Sequence, residues 1–188
     1  MQNHRRSIRL PGADYTQSGA YFITICTHDK ACVFGTITLG MMEINAWGLV
    51  VKECWDDVPL HFPFVTLDAF VVMPNHVHGI VIISDHTTNM TPLSPISAHD
   101  DSRGMIYHAP IHDTERQFSK PIANSLSSII GTFKAAATRQ IRRLKGTIPF
   151  QWQRNYYEHI IRDEIDMKRI RGYIESNPEQ WKQDSLYG

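Results

Sequence analysis

Apolar positions along the chain change their period several times, and each change marks an element. Residues 1 to 19 are polar and punctuated by Pro11, Gly12 and Gly19, which reads as an arm leading into the fold. Ala20 to Thr27 is rich in β-branched and aromatic side chains and too short for a helix, so it predicts a first core strand. Phe34 to Thr38 and Met41 to Asn45 flank Leu39-Gly40 as a small hairpin. Leu49, Val50, Cys54 and Val58, with Trp47 and Trp55, then recur at helical spacing, predicting a helix over Ala46 to Val58 that ends at Pro59. Phe64 to Met73 and His76 to Ser84 return to strand character. Only Pro74-Asn75 parts them, which makes an antiparallel pair the simplest arrangement.

Between Asp85 and Pro121 the periodicity vanishes into Ser, Thr, Pro, His and Asp, and a surface insertion without fixed structure is expected. His86, His99, His108 and His112 fall there and read as solvated. A second helix follows over Asn124 to Leu144. Asn124 or Ser125 can cap it, and Leu126, Ile130, Phe133, Ala137, Ile141 and Leu144 form its apolar stripe. Phe150 to Ile161 carries aromatic and β-branched residues without a helical stripe and predicts the fourth core strand. Asp163 to Asn177 is a last helix, with acidic residues in its first turn and Pro178 after its end. This order is the split β-α-β pattern of a ferredoxin-like (RRM-like) α+β fold: an antiparallel sheet, two packing helices and an added C-terminal helix, in one domain over 20 to 182.

Composition narrows the class. At 42% hydrophobic and 20% charged the chain is an ordinary globular sequence, and no apolar run is long enough to span a membrane. The charged N-terminus lacks the apolar core of a signal peptide, so a cytoplasmic protein is expected. Cys26, Cys32 and Cys54 are odd in number and lack zinc spacing, which reads as reduced thiols. Net charge is zero, yet Arg116, Lys120, Lys134, Arg139, Arg142, Arg143 and Lys145 follow one another with no Asp or Glu between them. A local basic stripe, joined by Arg5, Arg6 and Arg9 of the arm, suits a phosphate backbone, although such a run also serves as a solvated helix face.

The candidate chemistry lies in Met73-Pro74-Asn75-His76-Val77-His78. Side chains alternate across a strand, so His76 and His78 project from one face while Val77 enters the opposite layer. Two imidazoles on a rigid strand can hold a metal, or can pack as core residues. On the last helix Met167, Ile170 and Ile174 must face the core, whereas Tyr173 and Asn177, four apart, share another face with Arg169 one turn earlier. An amide oxygen is a reasonable ligand for a hard divalent cation, so Asn177 can complete a set with the histidines and leave positions for phosphate oxygens and water. The bland alternatives are a half-buried packing role for Tyr173 and a helix-stop role for Asn177.

Met-Pro-Asn-His-Val-His, then Trp152-Gln-Arg154, Tyr-Tyr-Glu-His-Ile-Ile-Arg162 and Tyr173-Ile-Glu-Ser-Asn177-Pro178, together resemble the HUH-type tyrosine transposases, in particular the REP-associated group. Arg-Leu-Pro-Gly-Ala-Asp-Tyr and Gly19-Ala-Tyr-Phe-Ile-Thr near the N-terminus fit the same group. The resemblance implies Tyr173 as nucleophile on a catalytic C-terminal helix, and His76, His78 and Asn177 as ligands of Mg2+ or Mn2+. It implies cleavage and rejoining of single-stranded DNA near a hairpin through a 5'-phosphotyrosine. Arg5, Arg6, Arg9, Lys134, Arg139, Arg142, Arg143, Arg154 and Arg169 are the expected DNA contacts, and a monomer is expected, with a dimer as the alternative. Tyr156 and Tyr157 compete for the nucleophile's role. A nucleic-acid-binding module without chemistry, and a metal phosphodiesterase that uses water, are the competing functions.

Overall fold

The computed structural model describes residues 18–84, 125–144 and 149–187. The predicted arm up to residue 17, with Arg5, Arg6 and Arg9, and the predicted insertion at 85–121 lie outside the described residues.

Strand β1 (Gly19–Cys26) leads through a 3-10 turn at His28–Lys30 into the hairpin β2 (Gly35–Thr38) and β3 (Met41–Ile44). Leu39 and Gly40 both have positive φ, 52° and 79°, the backbone that lets a two-residue turn follow the twist of its strands. Asn45 does not extend β3 as predicted. It caps α1 (Ala46–Asp56), its Oδ1 accepting the Trp47 and Gly48 amides at 2.9 and 3.0 Å. Pro59 does not end helical structure. It sits in the first turn of a separate short helix, α2 (Val58–His61), where a missing N–H leaves no bond unmade.

Strands β4 (Val65–Val72) and β5 (His76–Ile83) form the expected antiparallel pair. Helix α3 (Leu126–Arg143) is capped by Ser125, whose Oγ accepts the Ser128 amide at 3.3 Å. The predicted fourth strand is shortened to β6 (Tyr157–Ile161). Phe150 and Trp152 owe their burial to ring packing: both lie against Phe34, at 5.7 and 5.4 Å, and the Trp152 indole donates to the Lys134 carbonyl. That stretch meets the end of β1 through an isolated bridge between Thr27 and Trp152, with the Gln153 amide donating to the Cys26 carbonyl at 2.8 Å. Helix α4 (Glu164–Ser176) is capped by Asp163, which accepts the Asp166 amide at 2.8 Å, and a 3-10 turn at Trp181–Gln183 follows.

The sheet order β4-β5-β1-β6, antiparallel throughout, is the ferredoxin-like arrangement. One face, carrying Ile23, Ile25, Val77 and Val81, packs on α1 and α3. Gly79 lets Trp55 approach from that side; a Cβ there would come within 2.5 Å of the indole. The opposite face places Phe22, Ile80 and Ile161 against Met167, Ile170 and Ile174 of α4. A bulge in β4 between Leu67 and Phe70 presents Asp68 to α4, where Arg171 grips it through two hydrogen bonds of 2.8 Å. Position and tilt of α4 are therefore tied to the sheet by both apolar and charged contacts.

Candidate metal and nucleophile site

His76 opens β5 opposite Cys26, and His78 pairs with Thr24, so both project onto the face covered by α4 while Val77 is fully buried beneath. Asn75 Nδ2 donates to the carbonyls of Lys30 and Leu186, at 3.1 and 2.9 Å, which turns its Oδ1 toward His76 Nδ1 at 2.7 Å. That arrangement puts the His76 proton on Nδ1 and leaves a bare lone pair on Nε2. His78 Nδ1 lies 2.8 Å from the Thr24 hydroxyl, which serves either tautomer because it both donates and accepts. The two Nε2 atoms converge at 3.0 Å.

Burial pushes His76 down to about 4 and His78 well below its ordinary 6.5, the latter also through its neighbour His76. Both rings are neutral at pH 7, the form that ligates metals. Tyr173 brings its hydroxyl to 3.3 Å from His78 Nε2 and stays 42% exposed. Its phenol is raised above 10, by burial first and by the Asp184 charge second, with a hydrogen bond from Asn177 opposing. Asn177, the C-cap of α4, is buried, and its Nδ2 donates to Asp184 Oδ2 at 3.2 Å. Its Oδ1 is buried and finds no hydrogen-bond partner among the described residues. An orphaned amide oxygen at a helix C-terminus, on a side chain tied through Asp184 to two converging imidazoles, is a donor type that fits a divalent cation.

Asp184 is the member of this group that the sequence reading missed. It follows the last 3-10 turn, and its Oδ2 stands 3.8 Å from His76 Nε2. His76, His78 and Asp184 offer ligand atoms all within 4.8 Å of one another. No spacing pattern links Asp184 to the histidines, since chain and fold bring it back from more than a hundred residues away; only its position after the helix hints at it.

Beside Tyr173 a cavity of about 680 Å3 opens between β1, β6 and α4, lined among others by Phe22, Tyr157, His159, Arg169 and Asn155. Arg169 thus reaches the site, held by Asp166, which also pairs with His159 at 2.7 Å. Of the competing tyrosines, Tyr157 lines this cavity and is half exposed, whereas Tyr156 packs with the α1 and α3 core as well as touching the cavity. Lys134, Arg139, Arg142 and Arg143 line a separate open groove with Phe150 and Trp152. Lys134 already donates to the Gln153 and Arg154 carbonyls at 2.7 and 3.2 Å, so its ammonium pins the 150–154 stretch to α3. Arg154 lines neither. Cys26, Cys32 and Cys54 are free thiols, and among the described residues no helix is long and apolar enough to cross a membrane.

No family model matches the chain. An uncharacterized protein of Haemophilus influenzae is 41% identical over 186 residues, covering 98% of this chain and 94% of its own, and the chain belongs to one family with it. A second Haemophilus influenzae protein, provisionally named a REP-associated tyrosine transposase, is 26% identical over 178 residues, covering 95% of this chain and 76% of its own. The solved structure of a REP-associated tyrosine transposase bound to a REP hairpin matches with a TM-score of 0.55 at 18% identity, over 96% of this chain and 74% of that one, and shares its fold.

Proposed function

We propose, from the premise that this chain resembles the REP-associated tyrosine transposases in sequence and fold, that it is a metal-dependent enzyme that cuts and rejoins single-stranded DNA near a hairpin. That resemblance supports a transposase role. The observation that carries the finer reading is the convergence of the Tyr173 hydroxyl on His78 Nε2, itself 3.0 Å from His76 Nε2. A phenol aimed at a pair of neutral imidazoles is a nucleophile set beside a metal site.

His76, His78 and Asn177 Oδ1 would hold the cation, which when bound neutralises charge building on a phosphate and lowers the cost of ionising the phenol. Asn75 and Thr24 orient the two rings through their Nδ1 atoms, as outer partners of ligating histidines do. The Tyr173 oxygen attacks phosphorus, a P–O bond to tyrosine forms, and the bond to the 3'-oxygen breaks. The phenol proton is lost and the departing 3'-oxygen is protonated. A second 3'-hydroxyl can reverse the exchange, so rejoining needs no nucleotide cofactor. Arg169 and the aromatic walls of the adjoining cavity suit a phosphate and unpaired bases, and the groove along Arg139, Arg142 and Arg143 suits the duplex stem. In this reading one catalytic domain spans 20–182, and the arm and the 85–121 insertion are additions to it.

The deciding experiment incubates the protein with end-labelled hairpin-bearing single strands and Mn2+ or Mg2+, and reads a denaturing protein gel. A metal-dependent covalent band lost in Tyr173→Phe is expected. A band that survives moves the nucleophile to Tyr156 or Tyr157. Cleavage without a band points to water as nucleophile, and binding without cleavage to a module without chemistry.

A further inference from the structure

Asp184 has no part in the proposed ligand set, and among the described residues its carboxylate forms no ion pair with a Lys or Arg. Its side chain is 3% exposed. Its neighbours are the two imidazoles, and the Asn177 amide and Leu186 N–H, which donate to Oδ2 and Oδ1 at 3.2 and 2.7 Å. Two N–H donors leave acceptor capacity on the carboxylate oxygens, which a cation could take up. Oδ2 faces His76 Nε2 at 3.8 Å, and the three candidate ligand atoms of His76, His78 and Asp184 fall within 4.8 Å of one another, the span that ligands around one ion occupy. Asn177, whose Oδ1 finds no hydrogen-bond partner among the described residues, joins this group through its Nδ2 bond to Asp184.

Other contacts also hold the segment that carries Asp184. Trp181 is buried with its ring 5.9 Å from that of His76, Leu186 O accepts from Asn75, and Ser185 O accepts from an exposed Lys30 at 3.2 Å. Lys182, Gln183, Ser185 and Tyr187 are exposed. Asn75 therefore touches both the segment and the His76 ring, so the histidine face and the chain end share partners at two points.

Building on the metal reading above, we propose that Asp184 is a further ligand of the divalent cation, so that filling the site fastens residues 181–187 across the histidine face. Cation binding and docking of the chain end are then one linked equilibrium, in which each favours the other by the same factor.

The test measures Mn2+ and Mg2+ affinity by calorimetric titration, and backbone hydrogen exchange at 181–187 with and without Mn2+, on the full chain. The wild type, Asp184→Asn, Asp184→Glu and His78→Ala are compared. Asp184→Asn is expected to weaken Mn2+ binding tenfold or more and to abolish the slowing of exchange that Mn2+ produces in the wild type, with Asp184→Glu recovering part of both. Wild-type Mn2+ affinity in Asp184→Asn, with binding lost in His78→Ala, would overturn the role of Asp184 while leaving the metal site standing. A wild-type protein that binds neither ion overturns both. Should Asp184→Asn fail to fold, wild-type exchange decides: protection at 181–187 that ignores Mn2+ removes the linkage.

Discussion

The two faces of the central sheet are built from alternate residues of the same strands, yet one is closed and the other is not. Ile23, Ile25, Val77 and Val81 are fully buried under α1 and α3, with Trp55 stacked on Phe70 at 4.6 Å and set edge-on to Phe133. Across the sheet, a small apolar cluster of Phe22, Ile80 and Ile161 under α4 gives way to Thr24, His76, His78 and a cavity. Val77 and its two histidine neighbours show the division of labour at its sharpest. The closed face locks β5 in place, and that rigidity sets the spacing of the imidazoles on the open one.

Substitutions on the two faces should therefore fail in different ways. Tyr173→Phe is expected to abolish the covalent adduct while moving stability by no more than about 0.5 kcal/mol, since it removes one partly exposed hydroxyl. Urea unfolding beside the adduct gel checks both halves, and a large loss of stability would make Tyr173 a structural residue. Trp55→Ala should do the opposite, costing about 3–5 kcal/mol through the cavity it opens under Gly79 and Phe70. Adduct yield under conditions that keep the variant folded should stay near normal; a specific loss would mean that the closed face does more than hold the strand.

A third difference is one of pH. His76 and His78 are held neutral by burial, with His76 near 4 against 6.5 in an unfolded chain. Between those values the unfolded chain binds protons that the folded protein refuses, so stability rises with pH across this window and is lost as pH falls from 6.5 toward 4. In chelator, the Tm of the wild type should drop more steeply over that range than the Tm of His76→Gln. Parallel curves would mean that the site face does not carry this penalty.

Much of this division was legible in the sequence, and the reasons differ by element. The His-x-His alternation fixed which side chains leave β5 together, and the i to i+4 spacing of Tyr173 and Asn177 put both at the same end of α4, because period alone decides such facing. Sequence could not shorten the fourth strand to Tyr157–Ile161: aromatic residues favour strands and ring-packed loops alike, and only the fold shows that Phe150 and Trp152 serve Phe34. Charge counts likewise do not reveal that the Lys134 ammonium holds two loop carbonyls. Asp184 was invisible because its partnership exists only once the chain end returns to the sheet.

The smallest expected effect concerns how α4 is held to the open face. Arg171 grips Asp68 with two 2.8 Å hydrogen bonds, and that contact holds the Asp68 carboxyl below its usual range. A lowered folded value means that the contribution is present above about 4 and fades as pH falls through it. The guanidinium is 39% exposed, so solvent screens the pair, and Arg171→Ala should cost little stability at neutral pH. Met167, Ile170 and Ile174 would still seat the helix. Chemical unfolding measures the cost, and adduct yield reports whether Tyr173 keeps its place. A loss of several kcal/mol, or normal stability with a sharply reduced yield, would show that an ion pair at the β4 bulge, and not apolar packing, aligns the nucleophile with the histidines.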